Sequence, residues 1–291
     1  MLRIVLPKGS LEAATLRLFE EADLPLLRSS SVEYKAGIDD PRVREVMILR
    51  PQEIPTYVAD GLFDIGITGR DWIEETGAAV ETLTELNYSK ATSRPIRMVL
   101  AVAGDAPWNS AAELPNGVRV QTEYPRITQR FFERIGVAAK VSLSYGATEA
   151  KVPEIADAVV EITETGRALR AAGLKVIDEL LVSRTELIAN PLAASDPEKR
   201  RAMEQLQTLL TGVLDARGRV LVKLNVGAAQ LDAVVALLPA LGAPTVSQLF
   251  GTDAYAVETV VPKREINILI PALREAGASG ILELPISKIV A

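Results

Sequence analysis

The sequence predicts an α/β protein with two lobes followed by a smaller C-terminal module. Strand-like apolar segments alternate with helix-like segments along most of the chain, and this order is typical of parallel sheets covered by helices. A polar segment at residues 87–97 precedes a fresh strand, so we expect a second lobe to begin there. Beyond residue 214 the pattern becomes strand, helix, strand, strand, helix, strand, which indicates a ferredoxin-like domain. At 291 residues the chain is long enough for two or three domains.

Charge and composition exclude several classes of protein. With 32 basic and 38 acidic residues the net charge is −6, so we expect no nucleic acid and no membrane surface to be held by bulk charge. No apolar run approaches the roughly 20 residues that a membrane-spanning helix needs. The first nine residues read as a strand and a turn rather than a signal peptide. We therefore expect no membrane partner and a cytoplasmic location.

The chain contains no cysteine and no histidine. The first absence excludes disulfides and thiolate nucleophiles, and the second removes the usual general base and the usual zinc ligand. Carboxylates, lysine, arginine, tyrosine and hydroxyls remain, together with hard cations such as Mg²⁺ that bind through oxygen. Phosphate-ester or pyrophosphate chemistry suits this set, because positioning and electrostatics lower its barriers.

The first lobe is predicted from units in which a strand ends in a polar turn and a helix follows. The units are residues 2–19, with Lys8 and Gly9 in the turn; residues 46–62, with Arg50; and residues 64–71, with Asp71 at the start of the helix. Such units imply a parallel sheet whose ligand crevice lies at the carboxyl ends of the strands. Lys8 is well placed for a phosphate, although a solvated lysine in a turn explains its position equally well.

The second lobe is predicted from strands at residues 98–102, 118–120 and 141–144, with Tyr124 and Glu149 in the segments that follow the last two. Residues 185–190 read as a returning strand that rejoins the first lobe. The resulting bounds are 1–92 with 182–213 for the first lobe, 93–181 for the second lobe and 214–291 for the C-terminal module. Two lobes joined by crossing strands form a cleft, the usual place for a small-molecule site.

Residues 156–169 carry the most informative pattern of the chain. An apolar strand, residues 158–162, runs into Thr163-Glu164-Thr165-Gly166 and then into a helix. Backbone N–H groups at such a turn, with the threonine hydroxyls, suit a phosphate. Asp157 and Glu161 precede the turn and are candidates to accept hydrogen bonds from the hydroxyls of a sugar attached to that phosphate. An ordinary connection between a strand and a helix has the same local pattern.

Six segments in order resemble the ATP phosphoribosyltransferases, in their long form with a C-terminal regulatory domain. The segments are Leu6-Pro7-Lys8-Gly9, residues 50–61, residues 64–71, Thr122-Glu123-Tyr124-Pro125, Gly146-Ala147-Thr148-Glu149 and residues 157–166. The resemblance implies a periplasmic-binding-protein-like core of two lobes and an ACT-like C-terminal domain. It also implies that ATP and phosphoribosyl pyrophosphate (PRPP) react, with Mg²⁺, to give N1-phosphoribosyl-ATP and pyrophosphate, the first step of histidine biosynthesis.

The resemblance also suggests roles for single residues. Glu161 and Asp157 are expected to face the ribose hydroxyls as catalytic residues. The residues expected to wrap the 5′-phosphate are Glu164, Thr165, Gly166, Arg167, Ala168 and Leu169, although Ala168 stands where the family usually has threonine. Those expected at the pyrophosphate or the ATP phosphates are Lys8, Gly9 and Arg50, and those expected to line the cleft are Asp71, Tyr124 and Glu149. No residue is assigned as a metal ligand.

For the C-terminal module the resemblance implies feedback inhibition by histidine and a homo-oligomer that interconverts between dimer and hexamer. Candidate allosteric contacts are Asp215, Leu241 and Thr245; a helix cap at Asp215 and a core position at Leu241 are equally good explanations of those two. The main rival function is a two-lobed solute-binding protein without turnover. The other rival is a catalytically silent regulatory subunit, which would lack the phosphoribosyl turn that this chain retains.

Overall fold

The computed structural model describes residues 1–30, 33–88, 95–239 and 242–290. The chain divides into two compact units, Met1–Gln207 and Thr208–Ala291. The division falls inside the same helix as the predicted boundary at residue 214. In the described ranges no helix is long and apolar enough to cross a membrane.

Strands and helices alternate along most of the described chain. The strands are β1 (Leu2–Pro7), β2 (Lys35–Ala36), β3 (Val43–Leu49), β4 (Ile65–Gly69), β5 (Glu81–Leu86), β6 (Ile96–Ala103), β7 (Val118–Thr122), β8 (Ala139–Leu143), β9 (Ala158–Thr163), β10 (Leu174–Ser183), β11 (Thr185–Ala189), β12 (Arg219–Gly227), β13 (Thr245–Gln248), β14 (Ala254–Pro262) and β15 (Ser279–Pro285). The helices are α1 (Glu12–Glu21), α2 (Ile54–Ala59), α3 (Arg70–Thr76), α4 (Pro125–Ile135), α5 (Arg167–Ala171), α6 (Pro191–Ser195), α7 (Pro197–Ala216), α8 (Leu231–Leu237) and α9 (Ile266–Glu275).

The first lobe is built on a sheet with the strand order β2-β3-β1-β4-β11-β5. Strand β1 runs parallel to β3 and β4, and β11 runs antiparallel to β4 and β5. The central strands are buried along most of their length, which explains their nearly continuous apolar sequence. The carboxyl ends of β1, β3 and β4 therefore meet at one edge of the sheet, and this edge carries Lys8, Arg50 and Asp71.

The second lobe is built on a sheet with the order β10-β6-β9-β7-β8. Strand β7 runs parallel to both β8 and β9, whereas β6 runs antiparallel to β9 and β10. The parallel strands end at Thr122, Leu143 and Thr163, so the segments that follow them share one edge. The chain returns to the first sheet directly from β10 to β11, which confirms the predicted returning strand over residues 185–190.

The second unit contains a four-stranded antiparallel sheet with the order β13-β14-β12-β15. Its element order is strand, helix, strand, strand, helix, strand, and α8 and α9 contact each other. The core is formed by alternate residues of β12, namely Val220, Val222, Leu224 and Val226, together with apolar residues of both helices. This arrangement confirms the predicted ferredoxin-like domain.

Asp64 ties together several elements of the first lobe. Its carboxylate accepts hydrogen bonds from the backbone N–H of Arg3 at 2.7 Å and from Lys199 Nζ at 2.8 Å. Its own backbone N–H donates to Arg3 O, and its carbonyl accepts from Asn190 N–H. Burial alone would raise the pKa of Asp64, but the hydrogen bonds and charges of Lys199 and Arg3 outweigh it and hold the pKa below its ordinary value.

We expect Asp64→Asn to lower the free energy of unfolding at pH 7 by about 1 to 3 kcal/mol, because it removes the charge from a hydrogen-bonded pair. The stabilisation from a lowered pKa is complete above the unfolded-state value of about 3.9 and is lost as the pH falls through the folded-state pKa. The difference between wild type and variant should therefore shrink below about pH 4, as measured by urea unfolding. The exposed Asp60→Asn is the control, with a change within about 0.5 kcal/mol. A difference independent of pH would contradict this account.

Candidate active site

The turn at residues 163–166 is held by its own hydrogen bonds and by Arg170. Gly166 adopts φ +69°, and its N–H donates to Thr163 Oγ1 at 2.7 Å. A Cβ on Gly166 would lie 2.8 Å from Arg170 Nη1, the end of a flexible side chain, so the turn favours glycine mainly for its conformation. Arg170 Nη2 donates to the carbonyl of Thr165 at 2.9 Å. The guanidinium group is thus held against the turn.

A cavity of about 370 Å³ adjoins this turn. Three cationic side chains lie among its lining residues: Arg97, Arg170 and Lys175. Helix α5, which follows the turn, is only five residues long. Its dipole is correspondingly small. Of the three cations, Arg97 pairs with Glu179 at 2.9 Å and Lys175 Nζ donates to Ala106 O at 2.7 Å.

Glu161 lies half-buried in β9, two residues before the turn begins. Burial raises the pKa of its carboxyl group, and the nearby Glu149 and Glu123 carboxylates raise that pKa further, against the opposing hydrogen bond from Thr148. Glu123 follows β7 and Glu149 lies in a 3₁₀ turn, Thr148–Lys151, that follows β8. The parallel strands therefore bring three carboxylates to the edge that also carries the turn at residues 163–166.

The structure does not bring Asp157 to this edge, which corrects its predicted place beside Glu161. Its carboxylate pairs with Arg119, at 2.7 Å to Nη2 and 3.1 Å to Nε, and accepts Arg119 N–H at 2.8 Å. The guanidinium group holds the pKa of Asp157 below its ordinary value. Asp157 precedes β9, and four residues of strand span about 13 Å. It therefore lies at the opposite edge of the sheet from the turn.

Asp71 and Tyr124 form a buried link between the lobes. Tyr124 Oη donates to Asp71 Oδ2 at 2.9 Å, and Ser183 Oγ donates to Asp71 Oδ1 at 2.6 Å while it accepts Asp71 N–H at 3.0 Å. Burial raises the pKa of Asp71 and, together with the Asp71 charge, that of Tyr124. A Cβ on Gly69 would lie 2.1 Å from Asp71 Oδ1, so the close approach of this carboxylate requires glycine.

Helices α3 and α4 extend this link. Glu75 at the end of α3 accepts the backbone N–H groups of Arg126 and Ile127, each at 2.9 Å, and so satisfies the first turn of α4. The ring of Trp72 lies against the ring of Tyr124, with 4.4 Å between their centroids. Because α3 belongs to the first lobe and α4 to the second, these contacts fix the two lobes against each other.

The two lobes enclose a second cavity, of about 480 Å³. Both lobes contribute to its lining, which consists of Ser10, Leu11, Pro51, Gly69, Asp71, Trp72, Ile96, Ile162, Thr163, Glu164, Ser183, Arg184 and Thr185. The predicted Lys8, Gly9 and Arg50 lie one or two residues from lining positions. The sequence prediction missed Trp72, Ile162, Ser183 and Thr185, and the only available signal for the last two was their place on the crossing strands.

Lys8 and Arg50 lie side by side at the carboxyl edge of the first sheet. Lys8 N–H donates to Leu49 O at 2.7 Å, which joins the ends of β1 and β3. The ammonium group of Lys8 lies 3.9 Å from the centroid of the Tyr34 ring, a cation–π contact that restrains the side chain. Gly9 adopts φ +85°, and Arg50 is exposed.

The predicted allosteric residues are only partly described. Asp215 is exposed in the last turn of α7, so it does not cap the start of a helix, and Thr245 is the exposed first residue of β13. Leu241 lies outside the described residues.

Within the described ranges no group of three or more Asp and Glu side chains is arranged to hold a metal ion.

The fold and the cleft define a two-lobed α/β protein with a cavity between its lobes. A sequence profile described as ATP phosphoribosyltransferase matches residues 50–212, and one described as HisG, C-terminal domain, matches residues 216–288. The chain belongs to the ATP phosphoribosyltransferase family, as the six segments predicted. This membership also confirms the predicted class of enzyme, a phosphoribosyltransferase.

Full-length relatives support the same assignment. The chain is 47% identical over 290 residues to the ATP phosphoribosyltransferase of Pelotomaculum thermopropionicum, covering 99% of each chain. It is 47% identical over 291 residues to that of Nitratidesulfovibrio vulgaris Miyazaki F, covering 100% of this chain and 98% of the relative. Such identity over the whole length favours the transferase family over the solute-binding alternative.

A solved structure, the ATP phosphoribosyl transferase (HisG:HisZ) complex from Thermotoga maritima, has the same architecture. One of its chains superposes with a TM-score of 0.63 at 27% identity, covering 74% of this chain and 99% of that chain. The predicted two-lobed core is thereby confirmed.

We expect Tyr124→Phe to lower the free energy of unfolding by about 1 to 3 kcal/mol, because the buried Asp71 carboxylate loses a donor that water cannot replace. Tyr57→Phe is the matched control. The Tyr57 hydroxyl also donates to a carboxylate, that of Glu53, but in an exposed position, so we expect a loss below about 0.5 kcal/mol. Equal losses in urea unfolding at pH 7 would show that the link between the lobes adds nothing to stability.

Proposed function

We propose that the chain transfers the 5-phosphoribosyl group of PRPP to N1 of ATP and releases pyrophosphate, the first step of L-histidine biosynthesis. The observation that carries this proposal is the common edge of β7, β8 and β9, which places Glu161 two residues before a glycine turn flanked by arginine and lysine. A sugar phosphate needs that combination, with carboxylates for its hydroxyls and cations with N–H groups for its phosphate. Family membership supports the same reaction.

The proposed roles follow the two edges of the cleft. The residues assigned to the 5′-phosphate are Glu164, Thr165, Gly166, Arg167, Ala168 and Leu169, with Arg170 as an added cation. Lys8, Gly9 and Arg50 on the first lobe are assigned to the pyrophosphate or the ATP phosphates. Glu161 is assigned to the ribose, and Glu149 lines the same edge. Asp71 and Tyr124 are assigned to fixing the lobes, because their polar atoms already bond each other.

The reaction matches a chain without histidine or cysteine. The attacking N1 of adenine has a free lone pair, so no strong base is required. In the transition state positive charge develops on the sugar and negative charge on the leaving pyrophosphate. A carboxylate beside the ribose and cations beside the pyrophosphate stabilise both charges. Holding two phosphorylated substrates in line lowers the barrier further, by up to about 7 to 11 kcal/mol in favourable cases.

We also propose that Mg²⁺ enters the site together with the pyrophosphate of PRPP. Mg²⁺ commonly takes one or two protein carboxylates and completes its coordination with phosphate oxygens and water. The carboxylates of Glu123 and Glu149 are hard oxygen ligands at the same edge and fit that requirement. When bound, the ion would neutralise the charge that develops on the leaving pyrophosphate.

For the C-terminal unit we propose regulation by histidine within a homo-oligomer, a dimer or a hexamer. The match of residues 216–288 to the family's C-terminal domain supports this role. Asp215, Leu241 and Thr245 remain the candidate contacts. We retain the proposed bounds of 1–92 with 182–213, 93–181 and 214–291 for the three parts of the chain.

The direct test of the proposed function is to incubate the full chain with PRPP, ATP and Mg²⁺ and to follow the nucleotide adduct and pyrophosphate. We expect both products in equal amounts, none when either substrate is left out, and less of both when histidine is added. Tight binding of PRPP without any adduct would contradict the proposal and favour the solute-binding alternative. Adduct formation unaffected by histidine would overturn only the regulatory part.

We expect Glu161→Gln to lower kcat by about 100-fold or more, because the charge that stabilises the sugar cation is lost. The KM for ATP should change by less than about threefold, since an interaction made only in the transition state acts on kcat. Asp157→Asn, which alters the other acid of the same strand segment, serves as the control and should retain kcat within about threefold. Equal losses in both variants would contradict the assignment of Glu161.

We expect Gly166→Ala to weaken PRPP binding by about tenfold or more, because a side chain at φ +69° strains the turn and displaces Arg170. Gly136→Ala is the matched control. Gly136 has φ +74° at the end of α4 and nothing within 4 Å of its ideal Cβ. It should lose similar stability but keep the PRPP dissociation constant, measured by calorimetry. Equal PRPP affinity in both variants would show that this turn does not bind the phosphate.

A further inference from the structure

The segment that follows β15 returns to the last turns of α7. Ile289 N–H donates to the carbonyl of Gly212 at 2.9 Å. Gly212 is buried inside α7, where a carbonyl ordinarily accepts only the N–H four residues further on. A carbonyl oxygen has two lone pairs, so it can hold this second donor as well. We call residues 286–290 the strap.

The absence of a side chain at Gly212 lets the strap approach the helix closely. A Cβ on Gly212 would lie 3.2 Å from Ile289 O and 3.3 Å from Val290 Cγ2. The third-nearest atom, Lys288 Cβ at 3.6 Å, also belongs to the strap. Glycine weakens a helix, because leucine or alanine at the same position would favour the helix by about threefold to fivefold. Gly212 is the only glycine in the sequence of α7, and it lies where another backbone crosses the helix.

The strap closes a ring of hydrogen-bonded elements within the C-terminal unit. Strand β12 begins three residues after α7 ends, and its Val220 lies opposite Pro285 at the end of β15. The strap begins at the residue after Pro285, and its fourth residue donates to Gly212. Strand β15 therefore cannot shift along β12 unless the bond to Gly212 breaks or the last turns of α7 move with it.

The two elements that the strap joins differ in their surroundings. Strand β15 is an edge strand of its sheet, and most of its residues are exposed to a ligand or a partner. Helix α7 begins in the other unit, where Lys199 donates to Asp64 at 2.8 Å in the first lobe. Asp215, a proposed contact of histidine, lies three residues after Gly212 in α7. A regulator bound at β15 or at Asp215 therefore acts on the same turns that the strap holds.

We propose that the strap is a regulatory device, which couples the edge strand β15 to the last turns of α7 while Ile289 is bound to Gly212. This inference rests on the regulation proposed for the C-terminal unit, and it adds the element through which that regulation reaches α7. Such coupling requires a contact that both elements share and that can open without unfolding the rest of the unit. A single backbone hydrogen bond outside any strand or helix of the strap meets that requirement.

Hydrogen exchange in the full chain tests the coupling without any ligand. Ile289→Pro removes the N–H donor and leaves the sequence of α7 unchanged. We expect the amides of residues 213–216 to exchange about tenfold faster in this variant, because the last turns of α7 lose the strap. Ile289→Ala keeps the donor and is the matched control, with rates within about threefold of wild type. Wild-type exchange rates in Ile289→Pro would overturn the proposal.

A second variant, Gly212→Leu, checks where the strap binds. Leucine displaces the strap but also favours the helix, so its two effects on the exchange of residues 213–216 oppose each other. When Ile289→Pro has already removed the bond, only the second effect remains, and Gly212→Leu should slow exchange by about threefold to fivefold. In the otherwise wild-type chain it should not slow exchange. The same slowing in both backgrounds would overturn the strap, because residue 212 would then be an ordinary helix position.

Inhibition measurements test the regulatory role of the strap. At histidine concentrations that calorimetry shows to be saturating, we expect wild type to lose about tenfold or more of its kcat and Ile289→Pro to lose less than about threefold. Without histidine the two kcat values should agree within about threefold. An equal loss in both proteins would overturn the regulatory role. If wild type forms no adduct or is not inhibited, the proposed function or its regulatory part has failed, and the exchange measurements alone decide whether the strap couples β15 to α7.

Discussion

The geometry of the cleft depends on the buried carboxylate of Asp71. Asp71 follows a strand of the first sheet, whereas Tyr124 and Ser183, whose hydroxyl groups donate to it, lie at the ends of strands of the second sheet. Burial raises its pKa and makes each of these donors necessary, because a desolvated carboxylate without partners is strongly unfavourable. The close approach is possible only because residue 69 is glycine. The hydrogen bonds of this one carboxylate thus join the two sheets.

This link sets two sheet edges opposite each other, each of them formed by the carboxyl ends of parallel strands. One edge carries Lys8 and Arg50, and the other carries Glu161 and the turn around Gly166. With the lobes fixed by Asp71 and by the cap that Glu75 provides for α4, the cavity between them has a defined width before any substrate arrives. Catalysis by positioning needs such a preformed frame, and it needs neither an imidazole nor a thiol.

The sequence alone was sufficient to predict the features of the fold that depend on local sequence pattern. Continuous apolar runs predicted the buried strands β1 and β9, and the alternation of strands and helices predicted the ferredoxin-like unit. Strand β5 was missed, because its sequence, Glu81 to Leu86, is largely polar and only half-buried. The glycine turn was found because glycine and threonine follow an apolar strand there and the same stretch is one of the six segments that resemble the family.

The remaining features depend on contacts between distant segments. Asp157 was grouped with Glu161 because both precede the turn, yet a strand extends by about 3.3 Å per residue and carries them to opposite edges. Asp71 was expected to line the cleft, but only the tertiary structure reveals that Tyr124 and Ser183 occupy its oxygens. The loop after β8 turns through positive φ angles at Gly146 and Ala147, which no periodicity in the sequence indicates.

The most direct test of the account is a crystal structure of the full chain with PRPP bound. The account predicts that the 5′-phosphate lies against the residue 163–166 turn, with the ribose hydroxyls facing Glu161. Phosphate density at the Lys8 and Arg50 edge, with the residue 163–166 turn left empty, would contradict it.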